Sequence, residues 1–319
     1  MNSTIKNEIS EMESLLQRID EAHLRKRLSI QVGVVVRLLG RGTGRFHFEN
    51  FDFAMILLKC FLKAIGFYRR GYRNFKNIQI IHNSVKLPRL PEKFDGYTIL
   101  HLSDLHLDMD PVITDIIIDR VSELSFDLCV ITGDYRFRTH GIYGKSVEEV
   151  RKLRPYLDCE HGVFGILGNH DFIEFVPAFE KMGVRMLMNE SAELIRSGQS
   201  IWLAGVDDPH FYGTHDLARA SQDIPAAATK IILAHTQDLY QRAANAGFDL
   251  YLAGHTHGGQ ICLPGEIPIL AHAACPRRIL KKAWRFQRMQ GYTSCGTGSS
   301  GLPVRFNCLP EIILHHLAR

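Results

Sequence analysis

The stretch Asp249-Leu250-Tyr251-Leu252-Ala253-Gly254-His255-Thr256-His257 is an apolar run that ends in a glycine and two histidines. Upstream, three other apolar runs end in a similar way, in Ser103-Asp104-Leu105-His106, in Gly133-Asp134 and in Gly168-Asn169-His170-Asp171. A fifth, Ile231-Ile232-Leu233-Ala234, ends in His235. Each reads as a short buried strand that hands its last residues to a loop. Asp, His and Asn are hard and borderline donors of the kind divalent metals accept. Five such strand ends in one chain point to a two-metal hydrolytic site.

From Gly96 to Leu314 the chain alternates short β-like runs with helical or loop pieces. The expected strands cover 97–102, 128–132, 162–167, 184–187, 201–206, 230–234, 250–253, 292–295 and 312–315, and 77–82 reads as one more. The pieces 111–124, 147–157, 176–182, 217–221 and 239–246 read mostly as helices. Runs such as Leu128-Cys129-Val130-Ile131 show no polar alternation, which suits strands covered on both faces in a layered α/β fold. No internal repeat or low-complexity tract interrupts this pattern.

At 319 residues, with 45% hydrophobic and 23% charged, the composition is that of an ordinary globular protein able to bury a sizeable core. The net charge of +4 argues neither for nor against nucleic acid, and no nucleic acid partner is expected. Seven cysteines (Cys60, Cys129, Cys159, Cys262, Cys275, Cys295, Cys308) are scattered without a CxxC pair. That usage suggests reduced thiols and a cytoplasmic location.

Residues 1–76 read as a helical N-terminal segment, distinct from a domain over 77–319. Met1 to Glu8 is polar and carries no secretory pattern. Ile9, Met12, Leu15, Leu16 and Ile19 follow at helical spacing. The run Ile30–Leu39 is broken by Gln31 and Arg37 and is too short to span a bilayer. Phe51–Tyr68 reads as a helix with a narrow polar stripe, followed by Arg69, Arg70, Arg73 and Lys76. It fits either a packing helix or an interfacial one with its apolar face in lipid and its cations near anionic headgroups.

Asp104 and His106, two apart on an extended segment, would point the same way and grip one metal. Asp134, with two carboxylate oxygens, can bridge two. Asn169 offers a carbonyl oxygen, and His235, His255 and His257 offer imidazole nitrogens. Gly133 and Gly254 leave the backbone free to turn. A mixed N/O set without thiolate suits two divalent ions, manganese first, with iron or zinc as alternatives.

These motifs, in this order, resemble the calcineurin-like metallophosphoesterase family over roughly Tyr97 to the C-terminus. The resemblance implies a four-layer α-β-β-α sandwich with two metals at strand ends, preceded here by the N-terminal helices. It implies that Asp104, His106, Asp134 and His257 hold one metal, and Asp134, Asn169, His235 and His255 the other. His170 would stand beside the leaving group, with Asp171 orienting it. Gly205-Val206-Asp207-Asp208-Pro209, Gly258-Gly259-Gln260 and Gly301-Leu302-Pro303-Val304-Arg305-Phe306-Asn307 resemble a subgroup of bacterial membrane-associated phosphodiesterases. That subgroup includes UDP-2,3-diacylglucosamine pyrophosphatases of lipid A synthesis.

The expected reaction is therefore hydrolysis of a phosphodiester or pyrophosphate bond, in a lipidic substrate such as UDP-2,3-diacylglucosamine. The enzyme would lie peripherally on the inner face of the cytoplasmic membrane. A soluble nucleotide phosphodiesterase or phosphatase and a non-catalytic metal-binding scaffold are the competing readings. The scaffold is disfavoured because every ligand position and His170 are present. Arg136 and Arg138, just past Asp134, are candidates to face a second phosphate. The basic run Arg277–Phe286 reads first as solvated surface.

Overall fold

Leu128-Cys129-Val130-Ile131 shows why the strands form where they do: all four side chains are buried, alternately on opposite faces. Leu128 and Val130 face one hydrocarbon core, Cys129 and Ile131 another. The computed structural model describes residues 15–39, 52–269 and 275–319. Ile9, Met12 and the opening residues read for a signal lie outside them.

The first sheet runs in the order β1 (Gln79–Lys86), β14 (Glu311–Ala318), β2 (Thr98–Leu102), β3 (Leu128–Ile131), β4 (Val163–Gly165), β5 (Val184–Met186). Strands β2 to β5 are parallel, and β14 pairs antiparallel to β2. The second sheet runs β12 (Lys282–Phe286), β13 (Met289–Thr293), β9 (Leu250–Ala253), β8 (Lys230–Leu233), β7 (Gln199–Gly205), β6 (Glu190–Arg196). Its central strands β13, β9, β8 and β7 are parallel, and the two edge strands antiparallel. A small hairpin, β10 (Cys262–Leu263) with β11 (Ile267–Pro268), stands apart.

Ile99, Val130 and Phe164 of the first sheet share one buried cluster with Leu203, Ile231 and Leu252 of the second. Each such side chain contributes about 1.5–3 kcal/mol by leaving water. The outer face of the first sheet is covered by α4 (Ile113–Val121), α5 (Gly144–Leu153) and α6 (Phe175–Glu180) through Ile117, Val150 and Phe179. That of the second is covered by α7 (Leu217–Ser221) and α8 (Tyr240–Asn245) through Ala220 and Ala243. The result is the expected helix–sheet–sheet–helix layering.

The structure adds two edge strands missing from the sequence reading, β6 and β12. In β12 the basic run is not a free surface stretch: Trp284 is buried against Tyr251, and its indole donates to Thr293 Oγ1 at 2.9 Å. Lys281 and Lys282 pair with Glu266.

Among the described residues, α1 (Glu21–Leu39), α2 (Asp52–Ala64) and α3 (Tyr68–Lys76) come before β1. The expected single helix over 51–68 ends at Ala64, and Gly66 takes φ 75° before α3 begins. Among the described residues no helix is long and apolar enough to cross a membrane. Leu24 of α1, and Leu15 and Ile19 before it, join the helix-facing core of the first sheet. Met55, Leu58 and Leu62 of α2 pack on Leu302 and Val304.

Candidate metal centre

Strands β2, β3 and β4 of one sheet and β8 and β9 of the other end in the loops that carry the candidate ligands. Open parallel sheets place sites at these carboxyl ends. The local backbone there departs from the extended segment expected at 104–106. Asp104 (φ 51°), His106 (43°), Asp134 (57°), His255 (73°) and His257 (49°) are all left-handed. Non-glycine residues are rarely held so, and the strain clusters where the surrounding fold over-determines it. Left-handed turns, not strand alternation, aim these side chains at one point.

Gly254 likewise serves a different purpose from a turn. A Cβ there would overlap Ser103 Oγ and Asp104 Oδ2, and one on Gly168 would overlap Asp134 Oδ1. Each glycine leaves room for a carboxylate from the neighbouring motif. Gly133, at φ 92°, does turn the chain as expected.

Asp104, His106, Asp134, Asn169, His235 and His257 are buried, and His255 nearly so. His257 Nε2 lies 3.1 Å from His106 Nε2 and 3.5 Å from Asp104 Oδ1. On the other side Asn169 Oδ1 lies 2.9 Å from both His235 Nε2 and His255 Nδ1. Asp134 Oδ2 stands between, 3.8 Å from His106 Nε2 and 3.4 Å from His235 Nε2. Asp104, His106 and His257 form one compact donor group, and Asp104, Asp134 and His235 another.

The proton inventory shows that these groups fit cations. His106 Nδ1 faces the Arg136 carbonyl at 2.7 Å, and His235 Nδ1 faces the Thr132 carbonyl at 2.8 Å. A carbonyl only accepts, so each Nδ1 carries the hydrogen, and each ring when neutral turns a bare Nε2 inward. There those lone pairs meet Asn169 Oδ1 and Asp134 Oδ2, which are also acceptors. His255 Nε2 is buried with no hydrogen-bond partner. Acceptors facing acceptors in a buried site call for positive charge.

In the metal-free protein a proton on His235 supplies part of that charge. Burial works against charging His235, but Asp134 and Asp104 outweigh it and push the ring up to about 10. Burial also opposes the Asp134 carboxylate, yet His235, His170 and His106 hold it well below its ordinary value. Burial raises Asp104 to about 6, lowers His106 to about 4, and holds His255 and His257 well below the usual imidazole range.

His170 is brought to the same place, its Nε2 3.8 Å from Asp134 Oδ2 and its backbone N–H donating to Asp134 Oδ1 at 3.0 Å. The expectation that Asp171 orients this ring is corrected: His170 Nδ1 bonds the Phe137 carbonyl instead. Asp171 accepts from the backbone N–H groups of Gly168 (2.8 Å), Asp134 (2.7 Å) and Tyr135 (2.9 Å). Its carboxylate is spent on pinning two motif loops together. Arg136 follows on the loop after Asp134. It is fully buried, its guanidinium 4.2 Å from the Phe172 ring centre and donating to the His140 carbonyl at 2.6 Å. Arg138 is exposed.

Several further groups hold these ligands. Ser103 Oγ donates to Asp104 Oδ2 at 2.6 Å. Arg305 is fully buried and donates to the His257 carbonyl at 3.0 Å, with Nη2 3.2 Å from His257 Nδ1. His210 lies with its ring centre 5.1 Å from that of His255, tilted by 47°, and bonds Asp238 at 2.7 Å. The arginine's place in a Gly-Leu-Pro-Val-Arg run was visible, but nothing in the sequence ties it to a histidine 48 residues away.

Comparison with known proteins matches the family model described as calcineurin-like phosphoesterase to residues 97–259. The metallophosphoesterase YkuE of Bacillus subtilis (strain 168) is 30% identical over 272 residues, covering 80% of this chain and 91% of YkuE. The metallophosphoesterase YkoQ of the same organism is 24% identical over 280 residues, covering 83% and 100%. The phosphodiesterase YaeI of Escherichia coli (strain K12) is 26% identical over 234 residues, covering 69% and 82%. The matched span contains all five strand-end motifs, and the chain belongs to the calcineurin-like phosphoesterase family, as a metal-dependent hydrolase of phosphoric esters.

Proposed function

We propose that the enzyme hydrolyses a phosphodiester or pyrophosphate bond in a membrane lipid, with UDP-2,3-diacylglucosamine as the leading substrate. In this reading Asp104, His106, Asp134 and His257 hold one divalent ion, and Asp134, Asn169, His235 and His255 a second, manganese first among the metals. When bound, such a pair supplies activation of water and neutralisation of charge on the phosphoryl oxygens. His170, tied through Nδ1 to the Phe137 carbonyl, turns Nε2 inward; in its protonated form it can donate to the departing oxygen. Asp171 holds the loops in place. Arg136, whose Nε and Nη1 have no partner, and the exposed Arg138 are the candidates for a second phosphate.

The observation that carries the lipid reading is an apolar surface next to the site. One face of α2 packs on Leu302 and Val304, but Ile56 (56%), Leu57 (54%) and Phe61 (58%) stay exposed, as do Ile65 and Phe67 beyond it. Ile261, four residues past His257, packs with α2. Directly after it, the β10–β11 hairpin exposes Leu263 and Ile267, and Ile269 follows. Lys59, Lys63, Arg69, Arg70, Arg73 and Lys76 lie along the same segment. Exposed apolar residues rimmed by cations are what an interfacial helix presents to anionic lipid. Localisation to the inner face of the cytoplasmic membrane follows from the same reading.

The test is product analysis by mass spectrometry after incubation with UDP-2,3-diacylglucosamine and Mn²⁺. UMP plus an acylated sugar phosphate is expected. Hydrolysis of simple nucleotide diesters without turnover of the lipid would establish the soluble-substrate reading instead.

A further inference from the structure

Between the sheets, where the core is otherwise hydrocarbon, lies a row of polar side chains. Asn83 on β1, His315 on β14, His101 on β2 and Thr132 just past β3 sit on four adjacent strands, and Ser103 continues the row to Asp104. His315, His101, Thr132 and Ser103 have no solvent exposure. The contacts run Asn83 Nδ2 to His315 Nδ1 (2.9 Å), His315 Nε2 to His101 Nδ1 (3.2 Å), and His101 Nε2 to Thr132 Oγ1 (2.9 Å). They finish Thr132 Oγ1 to Ser103 Oγ (2.7 Å) and Ser103 Oγ to Asp104 Oδ2 (2.6 Å).

The direction of every link follows from its last member. A carboxylate only accepts, so the Ser103 hydroxyl donates to Asp104. Ser103 has no second proton, so Thr132 donates to Ser103. Thr132 must then accept from His101 Nε2–H, which leaves His101 Nδ1 bare to accept from His315 Nε2–H. His315 Nδ1 in turn accepts from the Asn83 amide. Each neutral imidazole thus gives one hydrogen and takes one, and the chain is satisfied throughout. Burial keeps both rings uncharged, pushing His101 down to about 3 and His315 well below its usual range. An amide at the far end delivers no proton, so the row is not a proton path.

We propose that this row is a positioning device: it locks Asp104 Oδ2 through Ser103 so that Oδ1 stays turned toward His257, and it ties that carboxylate to the rest of the site through Thr132. Thr132 belongs to both halves, since its carbonyl accepts from His235 Nδ1–H at 2.8 Å. Polar side chains in such a core cost stability unless every one is paired, and apolar residues of similar size would pack there at less risk. The row ends on a candidate ligand, which a merely space-filling histidine pair would have no reason to do. The inference rests on the reading of Asp104 as a metal ligand.

The test uses the full chain, Mn²⁺ as the probe, and three variants: His101→Leu, Thr132→Val and His101→Gln. Thr132→Val removes only the hydroxyl and keeps the carbonyl that holds His235. Glutamine can accept from His315 and donate to Thr132, so it should restore the row. Calorimetric titration of the metal-free proteins, each first shown to unfold cooperatively, reads the affinity of each ion. One ion should bind about 10–100-fold more weakly in His101→Leu and Thr132→Val, the usual effect of losing a group that orients a ligand. The other should change little, and His101→Gln should recover most of the loss. Folded variants that keep both affinities, or that lose both equally, overturn the proposal. If His101→Leu does not fold, Thr132→Val decides alone. A native chain that binds no pair of ions, while Asp104→Ala behaves identically, would instead sink the metal reading on which the row depends.

Discussion

Asp134 is the most constrained side chain of the site, because three histidines and two loops converge on it. His106, His170 and His235 lie within 3.8 Å of its Oδ2, and the His170 amide holds its Oδ1. Asp134→Ala should therefore abolish hydrolysis and release both ions together, measured as metal content after desalting; a variant retaining two ions would refute the bridging role. Gly254→Ala tests the site from outside the ligand set. Its Cβ would press on Ser103 Oγ and Asp104 Oδ2, so we expect a folded protein that has lost one ion selectively. Overpacking of this kind costs about 1–3 kcal/mol. Wild-type stability and metal content in this variant would show that the space is not needed.

At the scale of elements, α1 is bound to the body of the protein more firmly than its sequence suggests. Arg27 has no solvent exposure, pairs with Asp207, donates to the Asp171 carbonyl at 2.9 Å and lies 3.9 Å from the Tyr212 ring centre. His23 reaches the same Asp207 at 2.7 Å. The helix thus presses on the residue after His170. Removing one member of a fully buried ion pair leaves the other charge stranded, at a cost of about 3–5 kcal/mol. Arg27→Ala should lower unfolding free energy by that amount in denaturant melts. Arg25→Ala, which breaks only an exposed pair with Glu21 one turn away, should change it by under about 0.5 kcal/mol. Equal effects would mean that α1 is loosely held.

For the whole molecule, the buried titratable groups predict how the metal-free protein responds to acid. His101 and His106 are pushed down to about 3 and about 4, and His255, His257 and His315 also lie low, all by burial. In the unfolded chain each titrates near about 6.5. Below that pH the unfolded state binds protons the folded state refuses, so their contribution is complete above about 6.5 and falls as pH drops toward the folded values. Each supplies a slope of about 1.4 kcal/mol per pH unit. Asp104 and Asp171, raised to about 6 by burial, act oppositely between about 6 and 4. His235, pushed up to about 10, contributes a constant term below 6.5. Five histidines against two carboxylates leave a net loss of stability from pH 6.5 to 4, checked by urea melts across that range. A flat or rising profile would contradict the buried, neutral state of these rings.

The five strand-end motifs and the alternation of elements were legible in the amino-acid order because their physics is local. Apolar runs such as Ile231–Ala234 announce buried strands, and the donor type of the next residue announces the chemistry. Edge strands β6 and β12 were not legible, because Glu193, Arg196, Lys282 and Arg285 interrupt their apolar residues and each strand pairs with a single neighbour, β7 or β13. The left-handed turns at Asp104, His106 and His257, the burial of Arg136 and the bond from His170 to Phe137 likewise depend on neighbours distant in the chain. The sequence by itself determined the reaction class, through which donor atoms exist and in what order. Only the tertiary structure decided how they are held. The fold brings Gly254 onto Asp104, Thr132 onto His235 and Arg305 onto His257, and contacts across so many residues leave no periodic trace in the chain.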